Sequence, residues 1–310
     1  MKNIGFVFAG QGSQTTGMGS DLYNNFQEAR EVYDFLEEDL KKISFEGSIE
    51  EISDTRNLQP LMVALELSIL KILVSKGVKP VAACGLSLGE YAALRAAEIV
   101  NEKEILEAIT VRGQAMAEAA KTVESGMAAV MNLSYDEIQS IVKEVSQNDS
   151  NVYISNLNSS RQIVIAGHKD AVDGAVAIMK EKGGRVIPLK VSGAFHTPYM
   201  ESAVPALKEA LEKWNIKKNT IDYYGNRTGK KYKGEDLVTN LCEQMTNPVR
   251  LLENLKGMQA DGTDTFVEIG PGKTLSSIIK KDLKGVETFN VSNVSELENF
   301  IEIWRKEINE

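Results

Sequence analysis

Two cysteines and two histidines are the whole stock of Cys and His metal ligands in this 310-residue chain. Cys84 and Cys242 fit neither a zinc-type spacing nor a disulfide framework. They are expected to be free thiols in a reducing cytosol, and no metal site is expected. A basic excess is missing too. The chain has 35 Lys and Arg against 44 Asp and Glu, a net charge of −9, which argues against nucleic acid as a partner. An acidic partner stays open, because docking depends on local patches. No run of about 20 apolar residues exists, so no membrane span is expected. The apolar stretch 4–9 is too short for a signal-peptide core and lacks a cleavage pattern. A cytoplasmic monomer is the expectation. Internal repeats and low-complexity segments are also missing.

What is present is 43% hydrophobic and 25% charged residues. That composition fits a globular chain with a large core and room for a smaller inserted unit. A buried strand is expected at 4–8, followed by a flexible loop through Gln11. Helical character is expected over 20–43, and a long amphipathic helix over 58–75 with Pro60 in its first turn. A strand and a helix flank Ser87, and another helix covers 102–120. Helices alternating with short apolar strands indicate a parallel sheet. Residues 126–192 change character. Strands at 127–133, 152–156, 162–166 and 185–191 alternate with helices at 134–146 and 169–182, which is the β-α-β-β-α-β order of a ferredoxin-like unit. The first of those helices opens Ser134-Tyr135-Asp136-Glu137, a capping-box pattern. The unit reads as an insertion between 1–125 and 193–310. Helices at 236–246 and 248–259, a strand at 265–269 and a helix from 274 complete the body.

Gly85-Leu86-Ser87-Leu88-Gly89 lies between an apolar run and a helix-prone run. Glycines on both sides of a serine suit a tight strand-to-helix turn that exposes the hydroxyl at a helix N-terminus. Backbone N–H groups there can stabilise a developing oxyanion. A serine hydroxyl needs a base to take its proton. His168 sits in a polar turn before a helix and reads as a solvated turn residue. His196 ends the small-residue loop Ser192-Gly193-Ala194-Phe195 before Pro198, a setting that suits a cleft-facing base. Its neutral imidazole would be active, so acylation is expected to rise with pH through a pKa within a unit or two of about 6.5.

Together these segments resemble the malonyl-CoA:acyl-carrier-protein transacylase family over essentially the whole chain. Phe8-Ala9-Gly10-Gln11-Gly12-Ser13-Gln14 is similar to its N-terminal F-P-G-Q-G-S-Q block, and Gly85 to Tyr91 to its G-H-S-L-G-E-Y nucleophile block. Arg112-Gly113 with Met116 matches R-G-x-x-M at the family's spacing, 25 residues after the serine. Asn156-Leu157-Asn158 matches N-x-N, and 162–167 matches Q-x-V-I-S-G. Gly193-Ala194-Phe195-His196 matches G-A-F-H. Gln244 with Pro248-Val249 matches Q-x-x-x-P-V, and Glu268 to Gly272 matches E-I-G-P-G.

The resemblance implies an α/β fold: an α/β-hydrolase-like parallel-sheet body carrying the ferredoxin-like (βαββαβ) subdomain. It implies a ping-pong transfer of malonyl from malonyl-CoA to the phosphopantetheine thiol of acyl carrier protein through a malonyl-Ser87 intermediate, in fatty-acid biosynthesis, with no permanently bound cofactor. Ser87 would be acylated, with His196 its general base and acid. Main-chain atoms at Gln244 would orient the histidine in place of an aspartate. The N–H groups of Gln11 and Leu88 would form the oxyanion hole. Arg112 would clamp the malonyl carboxylate with its forked donors. Met116 would pack in the core with a place on the pocket wall, and Asn156 would contact substrate. Phe195 would favour malonyl over methylmalonyl. Lys182, Arg185 and Lys190 form one basic group available to the acidic carrier, and Lys273, Lys280 and Lys281 a second.

Two positions depart from the family pattern. Leu86 replaces a histidine, which changes the polar environment behind the serine, and Ala9 replaces a proline. Alternative readings are a hydrolase that clears acyl groups from carriers, a trans-acting acyltransferase of a polyketide pathway, and a non-enzymatic carrier-binding module. Arg112 speaks against the hydrolase, because an editing enzyme for uncharged acyl groups gains nothing from a buried cation. Ser87, His196, Gln11 and Arg112 together speak against the binding module.

Overall fold

Every residue of Ile4–Phe8 (β1) is buried. A strand covered on both faces belongs inside a parallel sheet sandwiched by helices, and β1 is its centre. The computed structural model describes residues 2–146 and 150–309. After β1 come four short helices, Ser20–Asn25 (α1), Gln27–Tyr33 (α2), Glu38–Glu46 (α3) and Ile49–Ser53 (α4), where the sequence suggested continuous helical character over 20–43. The chain breaks where Phe26 and Glu37 take extended backbone. It restarts at Ser48, which forms a capping box with Glu51.

Thr55–Ser75 (α5) is the core helix. Asp54 caps it by accepting from the Arg56 N–H, so the helix starts ahead of position 58 and Pro60 lies inside it instead of in its first turn. By length and composition α5 could cross a membrane, which the sequence reading did not foresee, but most of it is buried within the protein. Ala82–Gly85 (β2), Gly89–Ala96 (α6) and Glu102–Ala120 (α7) follow. Pro60 has no N–H to offer the Arg56 carbonyl, and α7 packs against that face of α5. A Cβ at Gly113 would lie 2.9 Å from the Thr55 carbonyl oxygen and 3.4 Å from that of Arg56. Gly113 therefore lets α7 approach α5 closely, and its neighbour Arg112 enters the core.

Ser125–Met131 (β3), Tyr135–Val145 (α8), Val152–Ser159 (β4), Gln162–His168 (β5), Lys169–Glu181 (α9) and Arg185–Pro188 (β6) build a second sheet. Its order is β4-β5-β3-β6, with every pair antiparallel. That is the ferredoxin-like arrangement. The capping box of Ser134 and Glu137 opens α8. Strand alternation divides the sheet. Ala128, Val130, Ile163 and Ile165 pack under α8 and α9, while Met127, Ala129, Val164 and Ala166 join the main core.

The chain then returns through a 3-10 turn at Pro198–Ala203 and helix Val204–Leu211 (α10). Strands Asp222–Gly225 (β7) and Lys230–Lys231 (β8), helices Leu237–Thr246 (α11) and Leu251–Ala260 (α12), strand Thr265–Ile269 (β9) and helix Thr274–Asp282 (α13) follow. Strand Glu287–Val291 (β10) and helix Val294–Asn309 (α14) end the chain. The main sheet has the order β10-β9-β1-β2-β7-β8. It is parallel except at β8.

Candidate active site

Strand β2 ends at Gly85 and α6 begins at Gly89, with Ser87 between them. Ser87 has φ 57°, a left-handed conformation that costs a non-glycine residue about 1–3 kcal/mol. The flanking glycines are needed for close approach. A Cβ at Gly89 would lie 2.5 Å from the Ala9 carbonyl oxygen and 2.6 Å from that of Phe8, and a Cβ at Gly85 would run into the Gly89 backbone. The turn thus sits directly on the end of β1, whose continuation carries Gln11.

His196 reaches Ser87 from the far side of the insertion, and it too is left-handed, with φ 61°. Its Nδ1 lies 2.7 Å from the Gln244 carbonyl oxygen and its Nε2 2.8 Å from Ser87 Oγ. A carbonyl can only accept, so the neutral ring carries its proton on Nδ1 and turns its Nε2 lone pair to the serine O–H. Burial first, and the Arg112 cation second, hold the imidazole pKa down at about 3, against the opposing pull of the Gln244 carbonyl. The value near 6.5 expected from the sequence took no account of either. His168 is the N-cap of α9, accepts from the Asp170 N–H, and does not line the Ser87 cavity.

Arg112 is 1% exposed. It donates to Gln59 Oε1 at 2.6 Å, to Gln244 Oε1 at 2.8 Å and to Ser87 Oγ at 3.2 Å, and it lies over the Tyr91 ring. Burial lowers its pKa, yet a guanidinium remains protonated in proteins. Among the described residues it forms no ion pair with any carboxylate. Two amide oxygens orient the cation without neutralising it. Glu90, bonded to the same Gln244 amide, acts on the cation across that amide but forms no ion pair with it, so the buried guanidinium beside Ser87 is still able to receive an anion.

Ser87, His196 and Arg112 open onto a cavity of about 670 Å³ that Gln11, Leu88, Met116, Asn156, Lys190 and Phe195 also line. The N–H groups of Gln11 and Leu88 enter no hydrogen bond among the described residues. The Gln59 amide donates to Met116 Sδ at 3.4 Å, so that methionine braces the arginine's partner as well as the wall. Asn156 accepts from the Ser155 hydroxyl, and its strand bridges Val249. Leu86 occupies the wall against Gly10. Of the six basic residues singled out, Lys190 alone lines the cavity; Lys182, Arg185, Lys273, Lys280 and Lys281 are exposed and do not line it. Among the described residues no group of three or more His, Cys, Asp or Glu is placed to hold a metal ion.

Three buried polar residues escaped the sequence reading: Gln59, Glu90 and Asn226. Gln59 stands one position before Pro60, a buried amide in the core helix. Glu90 accepts from Tyr223 Oη, from the Asn226 N–H at 2.8 Å and from Gln244 Nε2 at 2.8 Å. Burial pushes its carboxyl above the usual range, opposed by those hydrogen bonds. The available signal was the acid directly after Gly89 in a helix that must be buried. Asn226 carried no signal, because the partners of its side-chain amide and N–H are more than 130 positions away in sequence.

The chain is similar to known proteins over nearly its whole length. Residues 5–301 match the acyl transferase domain family. A protein of Bacillus subtilis (strain 168) named malonyl CoA-acyl carrier protein transacylase is 36% identical over 99% of both chains. The crystal structure of a malonyl CoA-acyl carrier protein transacylase from Clostridium perfringens superposes with a TM-score of 0.93, at 35% identity and 98% coverage of each chain. A malonyl-transacylase solved in complex with a type II polyketide-synthase acyl-carrier protein gives a TM-score of 0.91, at 32% identity, over 97% of this chain and 100% of the other.

Proposed function

The chain belongs to the malonyl-CoA:acyl-carrier-protein transacylase family and is an acyltransferase, and from that premise we propose that it moves malonyl from coenzyme A to the pantetheine thiol of an acyl carrier protein. The observation that carries the proposal is the buried Arg112 guanidinium, 3.2 Å from Ser87 Oγ and in no ion pair among the described residues. A malonyl thioester is an acyl group whose far end is an anion. Its carboxylate neutralises Arg112 and so sets its carbonyl at the serine.

Ser87 Oγ then attacks the thioester carbonyl while His196 Nε2 takes its proton. The resulting oxyanion is held by the N–H groups of Gln11 and Leu88. Collapse breaks the C–S bond, the coenzyme A thiolate takes the proton from His196, and malonyl-Ser87 remains. The carrier's thiol gives its proton to His196 and attacks the ester carbonyl. Ser87 leaves with that proton, so the enzyme is restored and no electron changes hands. The Gln244 carbonyl stabilises the imidazolium at each stage, in the place an aspartate holds in a triad.

Nothing in this sequence needs a resident cofactor. Phe195 is buried at the cavity wall, which supports malonyl over an α-methylated analogue. We place the reaction in fatty-acid biosynthesis, in the cytoplasm, with the enzyme acting as a monomer. The neighbour solved with a type II polyketide-synthase carrier supports a carrier protein as acceptor and favours, as the second reading, the same transfer serving a polyketide pathway. Intact-mass spectrometry after exposure to malonyl-CoA tests the core of the proposal. A malonyl adduct on Ser87 that persists until carrier protein is added is the expected result. Rapid release of free malonate without carrier would establish a hydrolase instead.

A further inference from the structure

The Ser87 turn holds a left-handed backbone in a half-buried position, and something other than strand or helix pairing must keep it there. The Ser87 N–H donates to Asn226 Oδ1 at 2.8 Å, and Asn226 Nδ2 donates to the Gly85 carbonyl at 2.7 Å. One fully buried amide thus takes up a donor and an acceptor two residues apart, on either side of Leu86. Its orientation is fixed, because the N–H partner can only donate and the carbonyl partner can only accept. The Asn226 main chain is pinned in turn, its own N–H donating to Glu90 Oε1 at 2.8 Å. Asn226 does not line the cavity, so it meets no substrate.

On the other side of Ser87 the carbonyl accepts from Gln244 Nε2 at 2.9 Å. The peptide between Ser87 and Leu88 is planar and trans, so fixing that carbonyl points the Leu88 N–H the opposite way. The two peptides flanking the nucleophile are therefore held from outside, one by Asn226 and one by Gln244. The Ser87 N–H is consumed by Asn226 and the Leu88 N–H is left for an oxyanion.

We infer that Asn226 is a positioning residue for acyl transfer: its side-chain amide holds the Ser87 turn in the backbone conformation that presents Oγ to His196 and the Leu88 N–H to the oxyanion. The inference rests on Ser87 being the acyl acceptor.

The test is Asn226→Ala in the full-length protein, followed by single-turnover acylation with malonyl-CoA. A misplacement of about 1 Å costs on the order of 10²-fold in rate. The acylation rate constant should fall about 10²-fold, while the malonyl-CoA concentration at half-maximal rate changes little. A purely structural role gives a different result: the burst amplitude falls with the folded fraction and the rate constant stays normal, which overturns the inference. A fluorophosphonate reagent that reacts with Ser87 without needing Arg112 separates this claim from the malonyl reading. Slowed phosphonylation supports the clamp even if malonyl proves not to be the substrate, and unchanged phosphonylation removes it. Should Asn226→Ala not fold, amide hydrogen exchange on the unmodified protein decides. The Ser87 N–H should be protected despite its half-exposed position, and exchange at the free-chain rate would refute the clamp.

Discussion

His196, the base of the proposed transfer, is kept unprotonated by its surroundings. With the imidazole held at about 3, the competent neutral form is populated throughout the range from neutral down to mildly acidic pH. Acylation should run level from pH 8 to pH 5 and fall only nearer the depressed value. Arg112→Ala removes the second of the two lowering causes, so its acid limb should move to higher pH. A limb between 6 and 7 in the unmodified enzyme, read by single-turnover acylation, would show the ring to be solvated. The same shift bears on stability. Between 6.5 and about 3 the unfolded chain binds the proton that the folded chain refuses, so this group costs stability as pH falls through that window. Arg112→Ala also tests substrate charge. Removing one partner of a buried pair costs about 3–5 kcal/mol, roughly 10²–10³-fold or more in malonyl transfer, whereas acetyl transfer should hold or rise. Equal loss on both acyl groups would make Arg112 structural.

Glu66 is a residue whose role the chemistry does not supply. It is fully buried in α5 beside Gly270, and neither carboxylate oxygen has a hydrogen-bond partner among the described residues. Burial raises its pKa well above the ordinary value, so the folded protein keeps a proton that the unfolded chain releases. Its contribution to stability is intact below about 4.5 and declines as pH rises above that. Glu66→Met should stabilise by about 1–3 kcal/mol, the penalty of an unsatisfied buried polar group. The gain should be larger at pH 8 than at pH 4, read as the midpoint of urea unfolding. A destabilised Glu66→Met would mean that the carboxyl has a partner in solution.

At the scale of elements, legibility followed the range of the signal. The Ser134 box and the strand alternation of the inserted unit are local, and β3 through β6 lie within about three residues of where the periodicity put them. The turn at Ser87 was readable because both glycines sit within two residues of it. Gln59, Glu90 and Asn226 were not, since each acts through partners on elements remote in sequence. Pro60 misled for a related reason. Proline commonly opens a helix, but Asp54 captures the helix start one turn earlier, and the interior proline lies where α7 crosses. That crossing makes a prediction. A Cβ at Gly113 meets backbone oxygens that cannot rotate away, so Gly113→Ala must push α7 off α5. Overpacking of this kind costs about 1–3 kcal/mol, and it should also displace Arg112 and slow malonyl acylation more than acetyl. Lost stability with unchanged acyl selectivity would show that the arginine is held by its amide partners alone.

For the whole molecule the question that the proposed function raises is how an acidic chain would receive an acidic carrier. The cavity mouth is where charge matters most, and two of the six basic residues are tied to it. Lys190 lines the cavity itself. Lys273 follows Gly272, whose α-carbon packs on Ser13 in the loop between Gly12 and Gln14, both cavity residues. The body and the inserted unit also meet near this second group. The Ser160 N–H and hydroxyl donate to Asp282 at the end of α13, at 2.8 and 2.5 Å, one residue beyond Lys281. Lys182 stands instead at the C-terminus of α9 and faces Glu137. Reversing Lys190 and Lys273 together to glutamate should therefore raise KM for the carrier about 10-fold or more at low ionic strength, an effect that shrinks as salt screens it. Reversing Lys182 and Arg185 should do less. The first half-reaction, measured without carrier, separates the two anions that could use these lysines. If KM for malonyl-CoA rises as much as KM for the carrier, the lysines hold the coenzyme's phosphates. If it stays level while the carrier's rises, they form the landing site that brings the pantetheine thiol to Ser87.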